Sequence, residues 1–272
     1  MQWGDRQPIC DHRGGVRIGQ NLCVQRERAS DYGDAHASVY DRIYGKRFTP
    51  ESAVTALATA AGPDGRLLEL GIGTGRLAVP LSDRGIHVEG IEASGEMINQ
   101  LRSRAGGELI PVHKVDLADF DLPGRRFDVA VCAVSTLFML PGLISQQSCI
   151  AATARHLHPD GLLFIEAFRL DPSRFDKDGN RVEDRSSSGG THIVRSHHDS
   201  TRHTIQIKHE LMDDSGASSY GVTLHYASLD ELDRMAELAG LHLRERWHDW
   251  SGRAAEVDSS DPVSVYERTH PK

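Results

Sequence analysis

Three glycines at every second position, Gly71, Gly73 and Gly75, close an apolar run that reads LLELGIGTGRL from Leu67 to Leu77. The pattern predicts a strand, a tight turn and the start of a helix. Three missing Cβ atoms let a backbone curve sharply and let a ligand approach its amide groups. Such a turn suits a nucleoside-type ligand. A dinucleotide fingerprint spaces its glycines G-x-G-x-x-G, whereas these follow a carboxylate, Glu69, in the order E-L-G-x-G-x-G. The acid and the spacing favour a ligand that presents an ammonium and a sulfonium over one that presents a pyrophosphate.

The second group with reactive side chains is the histidines, fifteen in all, among which His197, His198, His203 and His209 lie close together in sequence. Adjacent residues of a strand point to opposite faces, so His197 and His198 do not chelate one ion, and no H-x-E or H-E-x-x-H spacing is present. No metal is expected. A histidine facing a pocket from this region serves better as a general base, since its unperturbed pKa lies near 6.5, and His198 is the first choice for that role. Glu166 and Arg169 stand at the carboxyl end of the fifth predicted strand, where groups that bind an acceptor should project, unless they simply pair with each other. Phe138 and Met139 read as apolar pocket wall.

These groups need a scaffold, and the chain alternates strands with helices. Strands are predicted at about 66–71, 87–92, 109–115, 127–134 and 161–168, with helices at about 75–84, 95–104 and 143–157. FDVAVCAV and GLLFIEAF are apolar on both faces, as strands of a doubly wound parallel sheet must be. Pro159, Asp160 and Gly161 turn into the fifth strand, and two helices between Asp31 and Ala61 precede the first. Residues 171–190 are polar, charged and glycine-rich, which predicts a mobile loop. Three strand-like segments follow without helices, within 191–226, and DDSG between two of them is a hairpin turn. They predict an antiparallel insertion, a substrate lid over the carboxyl edge of the sheet. Ser228 and Glu231 form a capping box for a helix that stops at Gly240, and strands at about 241–249 and 262–268 complete the sheet.

Composition limits the choice of partner. With 272 residues, 39% apolar content, a formal net charge of −8 and a pI near 6.0, the chain suits one α/β domain over residues 30–272. It lacks the basic footprint of a nucleic-acid binder. No run approaches the roughly 18 apolar residues of a membrane helix, and the amino terminus has no signal-like apolar region, so the expected location is the cytoplasm. Residues 1–29 read as a flexible leader. Four dispersed cysteines predict reduced thiols, with Cys132 and Cys149 in the core. The sequence leaves monomer and homodimer both open.

Taken in order, these motifs resemble those of the class I S-adenosylmethionine-dependent methyltransferases over about Asp31 to Thr269. The resemblance implies a Rossmann-like, mostly parallel seven-stranded sheet whose last strand is antiparallel. It implies that Glu69 lies near the cofactor ammonium, while the backbone of Gly71, Gly73 and Gly75 lines the methionine moiety. VEGIEAS resembles the second motif, in which Glu92 accepts two hydrogen bonds from vicinal ribose hydroxyls while Ala93 and Met97 pack near the adenine. KVDLADF resembles the third, in which Asp116 accepts from the adenine amine and Leu117 sits beside the ring. FDVAVCAVSTL resembles the fourth, with Ala133 to Ser135, Val134 included, facing the methionine moiety.

Within that class, DYGDAHASVYDRIYGK is similar to the amino-terminal helix of small-molecule N-methyltransferases, including those acting on amino sugars. They carry two tyrosines eight residues apart, matched by Tyr32 and Tyr40 as cofactor-binding residues, the first hydrogen-bonding the cofactor carboxylate or closing over the reaction centre. The sugar enzymes place a histidine where this chain has Met139. The later stretches look closer to actinobacterial peptide-tailoring N-methyltransferases. The resemblance therefore implies methyl transfer to a small-molecule or peptide acceptor in secondary metabolism, with nitrogen favoured over oxygen or carbon. The rivals are a methyltransferase-like cyclase and, against the glycine spacing, a nicotinamide-dependent oxidoreductase.

Overall fold

Alternation of apolar strands with amphipathic helices produces the expected sheet in a computed structural model that describes residues 30–44, 51–187, 190–214 and 216–269. Helices α1 (Asp31–Tyr44) and α2 (Glu51–Ala61) lead into β1 (Arg66–Leu70), α3 (Ala78–Ser82), β2 (His87–Ile91), α4 (Gly95–Arg102) and β3 (Val112–His113). The second half adds β4 (Phe127–Cys132), α5 (Gly142–His156) and β5 (Leu157–Glu166). Four strands then follow in sequence, β6 (Asn180–Asp184), β7 (Thr191–Asp199), β8 (Thr204–Asp213) and β9 (Gly216–His225). The chain closes with α6 (Leu229–Leu238), β10 (Leu241–Trp247) and β11 (Val263–Arg268).

The large sheet has the order β10-β11-β5-β4-β1-β2-β3, and only β11 runs antiparallel to its neighbours. Strand order reverses between β1 and β4, so the loops at their carboxyl ends diverge and leave a crevice. Successive side chains of these strands enter different cores. Leu68, Leu70 and Ala130 join one buried cluster, and Leu67, Val129 and Val131 join the other. A sheet buried on both faces fixes its register firmly, which gives the crevice rigid walls.

Strands β6 to β9 form a second, wholly antiparallel sheet. Its β8–β9 turn is the hairpin read from DDSG, with Asp213 paired to Gly216. The capping box at Ser228 and Glu231 is formed, and Gly240 takes the left-handed conformation that ends α6. Cys132 and Cys149 are buried free thiols.

Several boundaries differ from expectation. Residues 171–190 are not a loop throughout: a short 3-10 turn at Pro172–Arg174 and strand β6 lie within them, so the second sheet begins at Asn180 rather than 191. The helix expected from residue 75 starts at Ala78, and the third strand shrinks to Val112–His113. Pro159 to Gly161 do not precede β5 but bulge within it: pairing jumps from Phe127↔Leu157 to Val129↔Leu162, with Asp160 at φ 62°. The leader at residues 1–29 lies outside the described residues. Among the described residues no helix is long and apolar enough to cross a membrane.

Gly75 shows how tightly the glycine turn sits on the core. Its φ is +78°, and a Cβ there would stand 2.2 Å from Cδ1 of the buried Leu101. Gly75→Ala therefore combines left-handed strain with overpacking. We expect a loss of about 2–4 kcal/mol in chemical denaturation.

Candidate functional site

The crevice opens where the glycine turn leaves β1. Amides of Gly71 and Ile72 both donate to the Ile91 carbonyl, at 2.9 and 3.0 Å, which ties the turn to the end of β2. Gly71 has φ +72°, and a Cβ there would lie 2.6 Å from Cγ2 of Thr136 and 3.7 Å from Cδ1 of Leu117. Only glycine lets the loop after β4 and the loop carrying Leu117 approach so closely. The resulting cleft is lined by Tyr40, Glu69, Gly71, Gly73, Arg76 and Val134, among others. It gathers five of the expected cofactor residues. Gly75 is not one of them, since it faces Leu101.

Glu69 is the unusual group in this cleft. One of its carboxyl oxygens, Oε2, is buried with no hydrogen-bond partner among the described residues. Burial pushes its pKa up to about 8, against the opposing effects of the Arg76 guanidinium and a hydrogen bond from the Ala78 amide. An orphaned acceptor beside a glycine turn fits a ligand that brings a cationic donor, as the ammonium of S-adenosylmethionine does.

Glu92 immediately follows β2 and has both oxygens placed by backbone amides. Gly73 donates to Oε2 at 3.0 Å and Ser94 to Oε1 at 2.9 Å. Burial raises its pKa while these amides act in the other direction. Each carboxylate oxygen keeps a further lone pair, so the group can still accept from two hydroxyls. Asp116 is exposed and closes a turn by accepting from the Ala118 amide at 2.9 Å. Ala93 follows Glu92 in the loop that leads into α4.

Helix α1 roofs this site because its sequence lets it lie close. A Cβ on Gly33 would stand 2.4 Å from Cβ of Ser94, so glycine sets the distance between α1 and α4. Asp34 then accepts from the Ser94 hydroxyl at 2.6 Å, and that hydroxyl caps α4 by accepting from the Met97 amide at 3.1 Å. Met97 is buried under Gly33. Two turns on, Asp41 accepts from Thr74 at 2.8 Å and is paired with Arg104. Tyr32, His36 and Tyr40, four residues apart, share a helix face. His36 touches the second sheet, its ring centroid 4.0 Å from that of Tyr220 on β9.

The loop after β4 is the strained part of the cleft. Val134 and Ser135 have φ of 52° and 55°, a conformation that β-branched residues avoid. Glu166 holds it: its Oε2 accepts from the Val134 amide at 2.7 Å, and its carbonyl accepts from the Ser135 amide at 3.0 Å.

Several expected acceptor groups are therefore reassigned. Glu166 braces the strained loop after β4, also accepting from Trp250, and does not pair with Arg169. Arg169 is committed to the loop before β11, its guanidinium donating to the Val257 carbonyl and its amide to that of Ser260. Phe138 is fully buried in the core, edge-on to Phe168 at 5.1 Å, and is not a pocket wall. Met139 remains partly exposed on the 3-10 turn Thr136–Met139. His198 is hydrogen-bonded to the Tyr226 hydroxyl at 2.9 Å. It pairs with Ile205, four positions along β8 from His209, the partner of Tyr220, and so sits about 13 Å along the strands from the contact with α1. The residues overlooked in the sequence were Asp34, His36, Asp41, Thr74 and Arg76. Only the repeat of four from Tyr32 through His36 to Tyr40 could have flagged one of them.

The chain is similar to several known proteins. A family model described as a methyltransferase domain matches residues 67–161. A Streptomyces fradiae enzyme, dTDP-3-amino-3,6-dideoxy-alpha-D-glucopyranose N,N-dimethyltransferase, is 31% identical over 176 residues, 63% of this chain and 67% of that enzyme. The cypemycin N-terminal methyltransferase of a Streptomyces species is 24% identical over 244 residues, 88% of this chain and 98% of that one. The solved structure of the CcbJ methyltransferase from Streptomyces caelestis superposes with a TM-score of 0.79 at 30% identity, covering 90% of this chain and all (100%) of the other.

Proposed function

The chain belongs to the S-adenosylmethionine-dependent methyltransferases, and on that premise we propose that it methylates an amine nitrogen of a small-molecule or peptide acceptor. Bound S-adenosylmethionine supplies an already activated methyl on a sulfonium, so most of the rate must come from positioning. The chain's own residues do that work. Glu92, aimed by the amides of Gly73 and Ser94, takes the ribose diol, and Asp116 takes the adenine amine beside Leu117. Glu69 faces the ammonium, and Arg76, which lines the same cleft, offers a guanidinium to the amino-acid carboxylate. Tyr32 and Tyr40 close the roof, and the sheet of β6 to β9 serves as the lid on the acceptor side. The amine lone pair forms the new C–N bond as the S–C electron pair returns to sulfur.

The observation that carries the choice of nitrogen is the pair of relatives, one named for an amino sugar and the other for an N-terminus. Those acceptors share an amine and little else. A net charge of −8 argues further against a nucleic-acid acceptor. The test is to incubate the protein with methyl-labelled cofactor and a panel of amino-sugar nucleotides and short peptides, each with a hydroxyl counterpart. We expect the label on nitrogen by NMR of the product. Label found only on oxygen or carbon would overturn the reading.

A further inference from the structure

His36 is 2% exposed, and its two ring nitrogens are treated differently. Nδ1 faces the carbonyl oxygen of Tyr32 one turn earlier in α1. A carbonyl only accepts, so Nδ1 carries the proton and Nε2 presents a bare lone pair. That Nε2 is buried with no hydrogen-bond partner among the described residues. A structural histidine uses both nitrogens. His156 does so, with Nδ1 at 2.7 Å from the Ala152 carbonyl and Nε2 accepting from the Leu122 amide at 2.9 Å. An unsatisfied buried acceptor is costly to the fold, which points to a role outside the fold itself.

Its surroundings say what that role is. One turn on from His36, Tyr40 lines the cofactor cleft. The imidazole itself stands between Tyr32, at 4.4 Å between centroids, and Tyr220 of β9, at 4.0 Å. It thus marks the place where the helix over the cofactor meets the inner face of the second sheet. We propose that His36 Nε2 is the base that takes the proton from the acceptor's ammonium, the acceptor lying between α1 and β9.

This inference rests on the amine reading above. In the step, the acceptor N–H bond breaks and an Nε2–H bond forms. The amine keeps the electron pair that attacks the methyl, and the imidazole becomes an imidazolium still donating from Nδ1 to Tyr32. The titratable groups against the ring are Tyr32 from α1 and Tyr220 from β9, with His209 of β8 stacked behind Tyr220 at 4.4 Å. Burial pushes the His36 pKa below its usual 6.5 while the Tyr32 carbonyl acts the other way, so the ring is neutral and receptive at pH 7.

The informative variant is His36→Gln, whose amide can still donate to Tyr32 but has no basic nitrogen. With the amine that turns over in the panel, we expect kcat/KM to fall about 100-fold at pH 7 with unchanged cofactor affinity. The deficit should shrink as pH rises past the acceptor's own pKa, where the amine arrives already deprotonated. A deficit that is absent, or constant across pH, overturns the assignment. A second readout needs no acceptor: nitrogen NMR of the protein bound to S-adenosylhomocysteine, with the His36 signals identified by their loss in the variant. A neutral Nδ1–H ring at pH 7 supports the assignment, and an Nε2–H tautomer or an imidazolium overturns it. If no amine in the panel is methylated, the amine reading fails, and the ring's tautomer still decides whether His36 is able to receive a proton.

Discussion

Glu92→Ala should weaken binding of S-adenosylmethionine and S-adenosylhomocysteine about 1,000-fold in calorimetry while leaving the fold intact. The estimate follows from the geometry at the end of β2. Two oxygens fixed by the amides of Gly73 and Ser94 have lone pairs left for two ribose hydroxyls. Each bond to a charged acceptor contributes about 1.5–3 kcal/mol, and about 4 kcal/mol in all is a thousand-fold in affinity. The alanine also releases the Gly73 amide, so part of the loss comes from a glycine turn no longer held in its binding shape. Glu92→Gln should recover little of this. One end of a Gln amide is a donor, and either orientation points that donor at a backbone N–H. A loss of less than about tenfold in the alanine variant would mean that the carboxylate only pins the loop.

The parts of this site that were legible in sequence are those where local chemistry and fold coincide. Gly71 must be glycine for steric reasons that act within the turn and its nearest loops, and Glu92 stands at the carboxyl end of the strand that follows the glycine turn's helix. Strand β6 was misread because it is an edge strand whose inward positions, Arg181 and Glu183, are charged and paired with each other. Inward charges protect an exposed edge from unwanted pairing, and in sequence they look like a solvated loop. Helix α3 starts late because the glycine turn extends to Gly75, whose left-handed φ of 78° interrupts helical geometry, and regular helix begins at Ala78.

The roof was harder still. Asp34 meets Ser94 and Asp41 meets Arg104 across about sixty residues of sequence, and nothing in the spacing of DYGDAH announces those partners. His198 and His36 illustrate the same limit. The histidine-rich insertion drew attention by composition, yet its register carries His198 to Tyr226, whereas α1 brings a single, inconspicuous histidine to Tyr220. Function here depends on which histidine the tertiary fold leaves with an unused nitrogen, a property that no local pattern encodes.

Glu69→Gln should make the protein more stable and a poorer binder of its cofactor. The wild-type carboxyl has its pKa pushed up to about 8 by burial, from an ordinary value of 4.5. The folded state therefore holds this proton more tightly than the unfolded chain does. Its contribution to stability is fully present below pH 4.5 and is lost progressively as pH rises to about 8. At pH 7 the shift corresponds to roughly 3 kcal/mol given up by the wild type. Glutamine keeps the acceptor for the Ala78 amide but does not titrate, so its advantage in denaturation should be near zero at pH 4.5 and grow toward pH 8. Cofactor binding should run the opposite way. An ammonium placed against Oε2 favours the ionised carboxyl, so wild-type affinity for S-adenosylhomocysteine should rise with pH up to about 8, with a proton released on binding below that. Glutamine should flatten that profile and weaken binding about 10- to 100-fold, the worth of one hydrogen bond to a charged group. A variant that gained stability yet bound as tightly at every pH would place the ammonium elsewhere. If both effects appear together, the orphaned oxygen is a strain that the fold carries and the cofactor relieves, which is how a buried acid beside a glycine turn becomes a binding site rather than a defect.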